Sequence, residues 1–124
     1  MGEALFELRR GRLVWAKVRD RRGVAKERPV IVLTATAEIR QGESFEAMAV
    51  TTTFPQPPPA DHVELPWHPQ GRVLTKLRKR SAAVLSWIVE IDLGDVIEFG
   101  GDVPVKVMRK ILARLARQDN GIDT

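Results

Sequence analysis

The sequence predicts a mainly β fold: a small β-barrel of about five strands with one C-terminal α-helix packed on it. Three observations predict it. Short runs rich in β-branched and aromatic residues recur between clusters of Gly, Pro and charge. One segment, after Asp102, carries apolar residues at helical spacing. The 124 residues are 44% hydrophobic and 29% charged, which is one domain's length and an ordinary globular composition. A single domain over 1–124 is therefore expected, with its core at about 11–117 and a short flexible tail at 118–124.

The elements follow in order. Leu13-Val14-Trp15-Ala16-Lys17-Val18 reads as a first strand. A polar, glycine-containing loop runs from Arg19 to Arg28. Pro29-Val30-Ile31-Val32-Leu33-Thr34 is a continuous apolar run, the pattern of a strand buried on both faces. Pro29 fits its first position, where no ladder N–H is required. Gln41-Gly42-Glu43 marks a turn, and Ser44 to Phe54 reads as a long strand ending in Thr51-Thr52-Thr53.

Pro55-Gln56-Pro57-Pro58-Pro59 cannot extend a ladder, because proline lacks the N–H, and forms a stiff connection. Asp61 to Leu65 is a short edge strand, followed by a loop with Trp67 and His68. Ser81 to Ile91 is another strand, while Asp92 to Gly101 reads as either a strand or a helical turn. The helix has Asp102 where an N-cap belongs and Pro104 in the first turn. Val105, Met108, Ile111 or Leu112, and Leu115 form its apolar stripe.

Composition excludes several chemistries. Without cysteine there is no disulfide scaffold, no Cys-ligated zinc and no thiol nucleophile. His62 and His68 lack the clustering of a zinc site, so neither metal nor cofactor is expected. No run is long and apolar enough to span a bilayer, and Met1 to Arg12 alternates charge and apolar residues, unlike a signal peptide. A cytoplasmic protein with no membrane partner is the expectation.

The net charge of +4 hides blocks. Residues 1–28 hold nine Lys/Arg against four Asp/Glu, and 72–80 hold five against none. Residues 29–71 hold one against five, and 81–102 none against five. Clustered cations suit a polyanion, because neutralising phosphates releases counterions. The competing reading is a solvated basic loop.

The most informative stretch is Gly23 to Pro29. A guanidinium at Arg28, beside a rigid strand start, is held in place and can grip phosphate oxygens with two hydrogen bonds. Thr51 to Thr53, at the end of another strand, offer hydroxyl donors at the same rim. Arg with Thr can stabilise a pentacoordinate phosphate without metal. An RNA substrate brings its own nucleophile, the 2′-hydroxyl, so the protein supplies alignment, charge stabilisation and proton transfer.

Gly11-Arg12-Leu13-Val14-Trp15-Ala16 followed by Glu27-Arg28-Pro29-Val30-Ile31-Val32-Leu33 resembles the opening of the MazF/PemK family. Ala49-Val50-Thr51-Thr52-Thr53 resembles that family's strand ending in a functional Thr or Ser. His62-Val63-Glu64-Leu65 and Leu77-Arg78-Lys79-Arg80-Ser81-Ala82-Ala83-Val84 resemble two later segments, so the likeness runs from about Gly11 to Leu115.

The resemblance implies an SH3-like barrel with a C-terminal helix, usually a homodimer. It also implies a type II toxin–antitoxin toxin that is a metal-independent, sequence-specific endoribonuclease on single-stranded RNA. Cleavage would leave a 2′,3′-cyclic phosphate and a 5′-hydroxyl. The family's catalytic Arg maps to Arg28, as phosphate clamp and candidate general acid. Its catalytic Thr maps to Thr51, with Thr52 as the register alternative, since strand neighbours face opposite sides. Lys26, Glu27, Arg78, Lys79 and Trp87 are candidate RNA contacts. The implied partner is an antitoxin presenting an acidic, partly disordered segment to the basic groove.

Two features depart from the family pattern. Gly23-Val24-Ala25-Lys26 lacks the Gly-Ser-Glu found there, and the loop is about two residues shorter. Trp87 replaces a polar residue and either stacks on a base or fills the core. The alternative function is a catalytically degenerate RNA- or antitoxin-binding module on the same barrel. Arg21, Arg22, His62, His68 and Trp67 are weaker candidates.

Overall fold

The computed structural model describes residues 7–20 and 22–121, the last four of these by backbone alone. Arg21, the first half (residues 1–6) of the N-terminal stretch read above as unlike a signal peptide, and 122–124 of the expected tail lie outside the described residues. Six strands form one antiparallel sheet: β1 (Arg12–Arg19), β2 (Ala25–Val32), β3 (Phe45–Thr51), β4 (His62–Leu65), β5 (Ser81–Ile91) and β6 (Val96–Asp102). Helix α1 (Val105–Gly121) follows. The strand order is β4-β5-β3-β2-β1-β6. With β4 and β6 as edges, the ladder does not close into a full barrel.

Both faces of this sheet are covered, which explains the continuous apolar runs. Leu13, Ile31, Met48 and Val50 point to one face, where α1 adds Met108 and Ile111 and the segment after β4 adds Leu77. Val14, Ala16, Val30, Val32 and Ala47 point to the other, with Phe45 and Ile91. The alternation is the two-residue period of strands. Each fully buried side chain such as Ile31 or Ile111 contributes roughly 1.5–3 kcal/mol by leaving water.

The structure corrects four expectations. First, β2 begins at Ala25, so Ala25 to Arg28 are strand rather than loop, and Pro29 lies inside the strand, opposite Trp15. Second, β3 ends at Thr51, and Thr52 and Thr53 leave the ladder. The Thr51 side chain turns the chain there: Oγ1 accepts from the Thr53 N–H at 3.1 Å. Third, Asp102 is not an N-cap. It ends β6, and both its carboxylate oxygens accept from Arg9, at 2.9 and 2.8 Å. The first helical bond instead runs from Met108 N–H to the Pro104 carbonyl, 2.9 Å. Fourth, Val105 is 66% exposed, while Val107 packs against the core with Leu112 and Leu115. The helix also continues past Arg117 to Gly121.

The segment between β4 and β5 has little regular structure but is firmly held. Thr75 is buried; its hydroxyl donates to the Pro66 carbonyl at 2.6 Å and accepts from the Leu77 N–H at 3.2 Å. The backbones of Leu74 and Thr75 accept from Asp102 and Gly101. Any side chain at Gly101 would collide with the Leu74 and Thr75 backbone, so glycine is needed for this approach. That docking sets the position of the basic run that follows.

Candidate active site

Strands β2 and β3 pair only from Val30–Ala49 to Val32–Ala47. Continued two residues outward, that register puts Arg28 opposite Thr51, beyond the last rung. The sheet therefore opens between the two residues singled out from sequence. Arg28 is half-buried, and its guanidinium carbon stands 4.9 Å from the centre of the Trp87 ring. A cation over an aromatic face is attracted by the ring's quadrupole and loses part of its freedom to rotate. Arg28 Nε is buried with no hydrogen-bond partner among the described residues. An unmet N–H in a packed environment is costly, and Trp87 offsets part of that cost.

Trp87 owes its orientation to an irregularity in β5. Met48 pairs with Ile88 and Val50 with Ala83, so β5 carries extra residues between these rungs. Such irregularities bend a strand and re-aim its side chains. Trp87 is half-buried against the Val14–Val30 core, and its ring face is taken by the Arg28 guanidinium rather than left open.

A groove of about 660 Å³ lies beside this opening. Glu27, Arg28, Thr52, Arg78 and Lys79 line it, together with Trp15, Lys76, Ser81 and Glu98. Strand alternation divides the predicted residues between two faces. Arg28, Thr51 and Trp87 belong by alternation to the face of Val30 and Ala49, and Glu27 and Thr52 to the other; of the first three, Arg28 also borders the groove. Lys26 is exposed opposite Val18 on the β1–β2 arm, away from the groove lining. Arg78 and Lys79 form no ion pair among the described residues. Arg80, from the same basic run, is committed elsewhere, 4.0 Å over the Phe54 ring.

Sequence reasoning missed Trp15 and Glu98. Trp15 sat in a strand at an outward position, between buried Val14 and Ala16, and that alternation was its only signal. The histidines lie elsewhere. His62 Nδ1 is 2.8 Å from Asp61, which also accepts from Ser86 at 2.8 Å; these bonds, from Ser86 first and then His62, hold the Asp61 carboxyl below its ordinary value. His68 closes a turn with Gln70. His62 borders a second groove of about 650 Å³ beneath α1, where Arg114 donates to the His62 carbonyl at 3.2 Å.

An open β-barrel with a cationic rim and an arginine packed on an aromatic ring is an architecture suited to binding and straining a phosphodiester. The family of PemK-like, MazF-like toxins of type II toxin–antitoxin systems matches residues 9–118, and the chain belongs to it. Among solved structures, MazF from Deinococcus radiodurans is similar at 19% identity and TM-score 0.71, covering 91% of this chain and 96% of that one. A MazE–MazF complex from the same organism is similar at 20% identity and TM-score 0.70, with the same coverage. An endoribonuclease from a mycobacterial species is similar at 16% identity and TM-score 0.61, covering 89% and 88%. No curated protein sequence matches the chain. Among the described residues no helix is long and apolar enough to cross a membrane.

Proposed function

We propose that this toxin-family protein is a metal-independent, sequence-specific endoribonuclease that cuts single-stranded RNA. The observation that carries the reading is the Arg28 guanidinium, packed on Trp87 where β2 parts from β3, in register with Thr51. Arg28 clamps the scissile phosphate. Thr51 donates a hydrogen bond to it, which costs the existing weak bond from its hydroxyl to the Thr53 carbonyl, 3.2 Å. Arg78 and Lys79 hold neighbouring phosphates along the groove.

In the reaction the 2′-hydroxyl oxygen bonds to phosphorus as the bond from phosphorus to the 5′-oxygen breaks. The 2′-hydroxyl gives up its proton and the 5′-oxygen gains one. The products are a 2′,3′-cyclic phosphate and a 5′-hydroxyl. The donors act on the charge of the pentacoordinate state, where a fixed dipole or cation is worth most. Similarity in fold to an endoribonuclease and to a toxin seated with its antitoxin supports both the activity and a partner. In this reading the protein works in the cytoplasm as a homodimer, and the antitoxin lays an acidic segment along the cationic groove.

The test is incubation with a long mixed-sequence RNA in EDTA, beside Arg28→Ala, with the ends of the fragments mapped. Discrete cuts with 5′-hydroxyl ends are expected from the wild type, and a loss of about a hundred- to a thousandfold in the variant. A folded wild type that binds RNA without cutting it would instead be a binding module, and equal cutting by both proteins would remove Arg28 from the mechanism.

A further inference from the structure

The groove's lining carries both signs of charge, drawn from different elements. Lys76, Arg78 and Lys79 come from the segment before β5; Glu27 with Arg28 comes from β2, and Glu98 from β6, with Trp15 of β1 beside it. Trp15 sits directly across from Glu98 on β6 and from Pro29 on β2. It is 37% exposed, large for an indole on a strand of this core. Glu27 has a cation, Lys17, as its cross-strand neighbour. Glu98 is exposed, faces an indole rather than a cation, and forms no ion pair among the described residues.

A phosphodiester strand in this groove is drawn by its phosphates to Lys76, Arg78 and Lys79 and kept from the Glu98 carboxylate. The bases are thereby turned towards Trp15 and Glu98. An exposed indole offers a stacking face to an unpaired base. An ionised carboxylate only accepts hydrogen bonds, through two oxygens side by side. Guanine presents two adjacent donors, N1–H and the N2 amino group, that match this pair. Adenine and cytosine set an amino donor beside a ring acceptor, and uracil sets one N–H between two carbonyls, so each leaves a lone pair facing the carboxylate.

We infer that Trp15 and Glu98 form a guanine-reading pocket, with the base stacked on the Trp15 indole and its N1–H and N2 amino group donating to Glu98. The inference rests on the ribonuclease reading for its substrate class, single-stranded RNA. It assigns to β6, an edge strand with no predicted role, the choice of base.

The experiment compares short single-stranded oligoribonucleotides that differ only in guanosine or inosine at one position, the latter lacking the N2 amino group. Binding by fluorescence anisotropy and cleavage in EDTA are both measured, for wild type, Glu98→Gln and Trp15→Ala. The wild type is expected to prefer guanosine by about tenfold or more, the worth of one hydrogen bond to a charged group. Glu98→Gln should lose most of that preference, and Trp15→Ala should weaken binding to both oligonucleotides. Equal binding of the two by wild type, preference undiminished in Glu98→Gln, or no RNA binding at all would each overturn the pocket. Preference without cleavage would keep the pocket and remove the ribonuclease reading; cleavage without preference would do the reverse.

Discussion

The two grooves have nearly equal volume, about 660 and 650 Å³, and differ in what their polar groups already do. In the groove beneath α1, Arg114 donates to the backbone carbonyl of His62 and, at 3.5 Å, of Ala60. His62 and Ser86 are both bound to Asp61. Those contacts tie the helix and β5 to the edge strand. In the groove beside Arg28, the Arg78 and Lys79 cations have no ion-pair partner among the described residues, and a nearby guanidinium nitrogen is unmet. Volume alone does not separate a site from a seam. Lys110 and Arg117 beneath α1 likewise form no ion pair among the described residues, so the difference rests on Arg28: its buried Nε has no partner, whereas Arg114 is bonded to backbone, and an unmet buried donor is what a ligand can satisfy.

The sharpest test of this contrast lies at the opening between β2 and β3. Removing the Thr51 hydroxyl with Thr51→Val is expected to slow RNA cleavage about a hundredfold, and Thr51→Ser to restore most of it. Thr52→Val should leave the rate nearly unchanged. The reverse pattern would move the catalytic hydroxyl onto the groove face.

Next in size is the cationic wall. Arg78→Ala with Lys79→Ala should weaken RNA binding for all sequences alike. It should also reduce the salt dependence by about 0.7 in log–log slope for each phosphate no longer neutralised. Lys110→Ala with Arg117→Ala, in the other groove, should leave both quantities unchanged. Equal effects would make the two grooves parts of one RNA path.

Smaller effects belong to the seam. Arg114→Ala is expected to lower stability by about 0.5–1.5 kcal/mol in denaturant unfolding, without altering cleavage. Ser86→Ala should have the least effect, and one that depends on pH. Its hydroxyl helps hold Asp61 below the ordinary carboxylate value of 3.8, so the folded carboxylate is stabilised relative to the unfolded chain. That contribution is complete above the unfolded value and is lost as pH falls through the lowered one. Wild type and variant should differ in midpoint at neutral pH and converge in acid. A gap that persists in acid would mean the serine acts through packing alone.

Much of the fold was legible because it rests on short-range pattern. The alternation from Leu13 to Val18 and the apolar run from Val30 to Val32 are local properties, and β1, β4 and β5 lie within a residue or two of their expected limits. Arg28 and the threonine cluster were legible because of their residue types and their order along the chain. Asp102 was misread for the opposite reason. A local rule favoured an N-cap, but Arg9, 93 positions away, offered two charge-assisted hydrogen bonds.

The amino-acid sequence by itself determined the β-rich class, the single C-terminal helix, the clustering of cations and the presence of an arginine able to clamp phosphate. Periodicity and side-chain chemistry are written residue by residue, so they survive without knowledge of neighbours. The tertiary structure alone decided which groups are spent and which remain free. It set Trp87 beneath Arg28, Phe54 beneath Arg80, and Glu98 across from Trp15. The first and last of those pairings follow from strand order and register, and a shift of one residue in any register sends every side chain of that strand to the opposite face; the second joins two connecting segments that the sheet brings together.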